Sequence, residues 1–173
     1  MRILRYMLLA ALVPVLLFFA VGLFSDEARF RTRLPVTDAG PVWQRFSQPE
    51  QLGRLVGEPV RLRPDGVLAW QLLDDQGQPR ARLQYLKLEP GRSLVYRVEG
   101  EHMTSEGRLN LYRDHEGQAW LESEQRLRGE GLFWRAVLRL SVQTMETRHR
   151  ADLVRVLAGE IDNSAVKGPA EGG

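Results

Sequence analysis

The sequence predicts an α+β domain in which a curved antiparallel sheet grips one long helix. The run from Gly131 to Ile161 has a helical period and no proline, and from Pro59 onward apolar residues recur at every second position between clusters of turn residues. A long amphipathic face needs a large surface to cover it, and the strand-rich stretch before it is the only candidate. At about 100° per residue, Trp134, Leu138, Ser141, Val142, Met145, His149, Asp152 and Val156 share one arc, with Phe133, Val137 and Leu140 widening its first half. Arg135, Arg139, Gln143, Glu146 and Arg150 lie opposite. Such a helix is roughly 45 Å long at about 1.5 Å per residue.

The 173 residues suit one domain with its core between about Ala28 and Ile161. With no cysteine, disulfides, thiolate metal sites and cysteine nucleophiles are excluded. Net charge is +2, and acidic and basic residues are interspersed rather than clustered, which argues against a nucleic-acid footprint. No phosphate loop, nucleophile elbow or zinc spacing is present, so neither metal nor cofactor is expected.

In chain order, Arg2 and Arg5 precede Met7 to Phe24, eighteen residues without a charge, which is enough to span a bilayer. Residues 1–24 are therefore expected to be an uncleaved membrane anchor, longer than the usual apolar core of a cleaved signal, with a cleaved signal segment as the alternative, for which Ala20-Val21-Gly22 offers a weak site. Arg2 and Arg5 favour a cytoplasmic amino terminus, which puts residues 28–162 outside the inner membrane, although Arg29, Arg31 and Arg33 weigh against that orientation. From Ala28 to Val36, Ala28, Phe30, Thr32 and Leu34 alternate with those arginines, as in a half-buried strand. Asp38 is placed to cap a short helix through Pro41, Val42, Trp43 and Phe46, and a second short helix is expected over Gln48 to Leu55. Six further strands are expected: Val60–Arg63, Val67–Leu73, Ala81–Glu89, Leu94–Glu101, Gly107–Arg113 and Ala119–Leu127. Short turns between them, including one over Met103 to Glu106, make the sheet a seven-stranded meander. Residues 163–173 lack an apolar period and are expected to be disordered.

Leu34-Pro35-Val36, Val42-Trp43 and Phe46-Ser47-Gln48-Pro49-Glu50 resemble the opening of the bacterial polyketide cyclase/dehydrase-like (SRPBCC) family, within the START and Bet v 1-like superfamily. Leu88 to Leu94 resembles that family's turn before its fifth strand, and Gly107, Leu109 and Leu111 its sixth strand. Leu121 to Glu124, Phe133-Trp134-Arg135, Leu153 and Leu157 are similar to its closing segment. A tryptophan common in the family after the Pro-Glu element is absent, with Leu52 and Leu55 in that region. The resemblance implies a helix-grip fold, within the membrane-anchored branch, that holds a lipid or other hydrophobic small molecule between sheet and helix.

Trp70, Tyr85, Tyr96, Trp120, Trp134, Leu138, Met145 and His149 are the expected lining of such a cavity, with Leu68, Trp70 and Leu72 on one inward face. His149, Asp152 and Glu124 are the titratable candidates for catalysis: an imidazole oriented by a carboxylate can act as a general base, and a buried carboxyl as an acid. Glu122 and Glu124 share a face with Trp120, which points outward if they pair with arginines such as Arg108 or Arg113. His102 and His115 fall in or near turns and have no metal-binding spacing. Three functions remain open: a membrane-anchored hydrophobic-ligand binder, a cyclase or dehydratase acting on such a ligand, and a non-catalytic interaction module with a filled core.

Overall fold

A computed structural model of the chain describes residues 2–23, 26–56 and 61–158. It begins with helix α1 (Arg2–Leu23), strand β1 (Glu27–Val36) and the short helices α2 (Ala39–Phe46) and α3 (Pro49–Val56). Strands β2 (Arg61–Pro64), β3 (Ala69–Leu73), β4 (Pro79–Glu89), β5 (Ser93–Gly100), β6 (Met103–Arg113) and β7 (Ala119–Gly129) follow, and α4 (Gly131–Ala158) closes the chain. The seven strands form one antiparallel sheet in the order β1-β7-β6-β5-β4-β3-β2, so β1 returns to pair with the last strand of the meander. This is the α+β helix-grip architecture, with two short helices after β1.

Local chemistry accounts for the joints. The Asp38 carboxylate accepts a hydrogen bond from Gly40 N at 3.0 Å, capping α2 as its position predicts. Asp74 and Asp114 each fold a hairpin by accepting from two backbone amides, those of Gln76 and Gln78 in one case and Glu116 and Gln118 in the other. Arg45 on α2 donates to the carbonyls of Val156 (3.1 Å) and Leu157 (2.6 Å), setting a cation at the C-terminal end of α4. Tyr85 donates its hydroxyl to the Ser47 carbonyl at 3.0 Å, tying α2 to the sheet. The core built between these ties includes Phe46, Leu52, Leu83, Leu94, Tyr96, Leu109, Leu121, Leu153 and Val156.

Several expectations need correction. Met103–Glu106 is not a turn but the start of β6, and the chain reverses at Glu101-His102 instead. Val67 and Leu68 precede β3, whose first residue is Ala69. Leu68 takes φ 57° and is exposed, so it leaves the inward face that Trp70 and Leu72 share. On α4, Leu138, His149 and Val156 are buried as the helical arc predicts, but Phe133 and Leu140 are exposed. The sheet side of α4 packs on β1 and β7, while another side packs on α1. Phe18 lies against Phe133, with ring centres 5.6 Å apart, and a Cβ at Gly22 would collide with the Leu132 carbonyl oxygen. The apolar residues of α4 therefore serve two surfaces rather than one, which blurs a single amphipathic face.

Among the described residues no helix is long and apolar enough to cross a membrane. The transmembrane helix expected over Met7–Phe24 thus gains no support from the structure. The expected disorder of residues 163–173 lies outside the described residues, as does the continuation of α4 beyond Ala158.

Candidate functional site

Because α4 rests on the β1–β7 side of the sheet, a space remains between the helix and strands β4 to β6. It forms a partly open cavity of about 460 Å³, inside the roughly 300–1,000 Å³ typical of small-molecule sites. Phe30, Leu55, Val98, Leu127, Trp134, Leu138 and Met145 give it mostly apolar walls. Glu101, His102 and Arg148 are exposed and Asp152 half-buried at its rim. A larger hollow of about 630 Å³ near Asp65, Asp74 and Arg80 is an open charged groove on the outer face of the sheet, bordered by the Arg80–Asp74 and Arg82–Asp65 ion pairs.

The floor of the cavity is polar, and the register of three strands builds it. Tyr96 on β5, Gly107 on β6 and Gln125 on β7 are cross-strand neighbours in one row. The Tyr96 ring lies directly over Gly107, where a Cβ would run into its Cζ atom, and so its hydroxyl reaches across β6. There it accepts a hydrogen bond from Gln125 Nε2 at 2.7 Å. Ser105 donates to Gln125 Oε1 at 3.2 Å, which fixes the amide the other way. Gln125 Nε2 also lies 3.4 Å from Ser123 Oγ, and Ser123 Oγ lies 2.8 Å from His149 Nε2 on α4. Four side chains of the sheet and one of the helix therefore form a continuous chain of hydrogen bonds.

None of these groups is charged near neutral pH. Burial holds the His149 imidazole down to about 4, and burial pushes the Tyr96 phenol up to about 12. Phe30 presents its ring to the imidazole at 5.4 Å between centres, leaving no counter-charge on that side. At the rim, His102 stacks on Trp134 with centroids 5.1 Å apart, and Glu130 N donates to the His102 carbonyl at 2.8 Å. The β5–β6 turn is thereby held against the first turn of α4.

Of the residues singled out from the sequence, Tyr96, Trp134, Leu138, Met145, His149 and Asp152 come together in this cavity. Trp70 and Tyr85 pack on each other, with ring centres 4.9 Å apart, outside the cavity lining. Trp120 lies on the outer face, its indole beneath the Arg33 guanidinium at 4.0 Å and its Nε1 donating to Asp114 at 2.7 Å. Glu124 shares that outer face and pairs with Arg126, while Glu122 pairs with Arg31, so neither carboxylate reaches the cavity. Asp152 accepts from Arg155 at 3.4 Å rather than orienting His149. Ser105, Ser123 and Gln125 were not singled out. The signal for the last two was present, since they interrupt an inward series that otherwise reads Leu121 and Leu127.

No family model and no curated protein matches the chain. Solved structures with the same fold include truncated norcoclaurine synthase from Thalictrum flavum, with 10% identity, TM-score 0.54, and 79% of this chain aligned to 94% of that one. The Zhui aromatase/cyclase from a Streptomyces species has 13% identity and TM-score 0.53 over 80% of this chain and 98% of that one. A conserved protein from Geobacillus kaustophilus has 14% identity and TM-score 0.54 over 78% and 96%. At these identities the likeness is one of fold alone.

Proposed function

We propose that this protein binds a hydrophobic small molecule or lipid between the sheet and α4. The observation that carries the reading is the cavity of about 460 Å³ with apolar walls, a volume that a filled-core interaction module would not leave open. Two proteins of the same fold are by name a synthase and an aromatase/cyclase, so a catalytic version of this reading is compatible with the architecture. His149 favours that second reading, because a buried neutral imidazole lining a cavity can polarise a ligand carbonyl by hydrogen bonding.

The proposal includes membrane anchoring through the N-terminal segment, with the domain on the extracytoplasmic side of the inner membrane. Its support is the charge-free run Met7–Phe24 and the exposure of Leu12, Val13, Leu16, Leu17 and Phe19 along α1, an apolar surface that water does not favour. The full chain is then expected to stay with membranes through alkaline carbonate and to need detergent for release. Native mass spectrometry of that material should show a bound apolar molecule, and Met145→Trp, which adds bulk to the cavity, should lose it. If the bound molecule changed mass on incubation with the wild-type protein, the catalytic reading would take precedence. A protein that carries nothing and takes up no apolar probe would sink the binding reading.

A further inference from the structure

The hydrogen-bond chain on the cavity floor has a direction. Gln125 turns its amide hydrogens toward Tyr96 Oη and Ser123 Oγ, since its carbonyl oxygen accepts from Ser105. With the Ser123 oxygen facing that amide, its own hydrogen is left for His149 Nε2, 2.8 Å away. The imidazole then carries its proton on Nδ1. Among the described residues the sealed, unpartnered side-chain polar atoms are Thr32 Oγ1 and Arg135 Nε. Nδ1 is not one of them and has no hydrogen-bond partner among the described residues, so it is not sealed, and the space His149 lines is the cavity. Tyr96 Oη accepts from Gln125 and has no acceptor of its own there, which leaves its hydrogen free. The floor therefore presents two hydrogen-bond donors, one on β5 and one on α4, and no positive charge.

We infer that this cavity selects ligands bearing an uncharged acceptor oxygen, a ketone, quinone or ester carbonyl, which takes hydrogen bonds from Tyr96 and His149. A hydrocarbon leaves these donors unsatisfied. A carboxylate satisfies them but brings a charge into an enclosure whose only lining cation among the described residues is Arg148, at the rim with Glu101 and Asp152. Tyr96 and His149 are thus specificity-determining residues. The inference rests on the cavity being a ligand site, as proposed above.

Three probes of matched shape test it on the full-length protein: 2-ethylnaphthalene, 2-acetonaphthone and 2-naphthoate, followed by quenching of tryptophan fluorescence. The ketone is expected to bind about tenfold tighter than either of the others, the increment of one well-placed hydrogen bond in a buried site. Tyr96→Phe should remove most of the ketone's advantage over the hydrocarbon, and His149→Gln should reduce it independently. Equal affinity for all three would overturn the selectivity while leaving the binding site intact. A preference for the carboxylate would overturn it as well, by showing that His149 takes up a proton to meet an anion. Failure of all three to bind would remove the ligand site and this inference together.

Discussion

Replacing Gly107 by valine is expected to lower the free energy of unfolding by about 3 kcal/mol and to abolish ligand binding. The Tyr96 ring, 1% exposed, occupies the place where any side chain at residue 107 would begin. It is held there by Gln125 and packed among core residues, so its nearest available space is the cavity itself. A displaced ring would break the bond to Gln125 and take the volume a ligand needs. Gly107→Ala should act in the same direction with a smaller loss. In a Tyr96→Leu background the alanine should cost much less, because the atoms it strikes are gone. Urea denaturation of the four proteins measures this coupling, and a near-neutral Gly107→Ala in the wild-type background would contradict the placement of Tyr96.

The second large effect is on pH. Unfolded, His149 titrates near its ordinary 6.5, whereas burial lowers it to about 4 in the folded protein. Between those values the unfolded chain binds a proton that the folded chain refuses, so stability rises with pH across the window. The contribution is complete above about 6.5 and is lost progressively as pH falls through about 4. At about 1.4 kcal/mol per pH unit, it amounts to about 3 kcal/mol. The groups that meet the imidazole are neutral: Phe30 on β1 and Ser123 on β7, with Arg148 and Asp152 toward the rim. Carboxylates elsewhere also titrate in this range, so the quantity to measure is the difference between wild type and His149→Gln. Wild type should lose about 3 kcal/mol more than the variant between pH 7 and pH 4, and parallel curves would show that His149 accepts its proton without penalty.

Much of the frame was legible because its signals are local. Asp38 caps α2 from the position the sequence marks, and Asp74 and Asp114 close hairpins where Asp and Gly fall together. The inward alternation of Ala28, Phe30, Thr32 and Leu34 and that of Leu94, Tyr96 and Val98 follow from strand period alone. Apart from the β2–β3 turn at Val67 and Leu68, what was misread belongs to the cavity or to α1. The start of β6 looked like a turn because Thr104, Ser105 and Glu106 put small or polar groups where a core strand would carry large apolar ones. Ser105 is small and polar there because its hydroxyl meets Gln125 on the neighbouring strand. Similarly, Ser123 and Gln125 read as ordinary polar positions until the register placed them opposite His149 and Tyr96. Phe133 was assigned to the sheet side because periodicity marks an apolar face without saying what covers it, and here α1 meets it.

The central claim is that an apolar molecule occupies the space between the sheet and α4. Its most direct test is isotope-filtered NMR of 2-ethylnaphthalene bound to the full-length protein. Intermolecular contacts are expected to the Met145 methyl group, the Leu138 methyls and the Trp134 indole, which line one cavity from a single helix. Contacts confined to the exposed side chains of α1, such as Leu16 and Phe19, or to Val67 in the β2–β3 turn and Leu86 on the sheet, would place the molecule on the surface and contradict the claim.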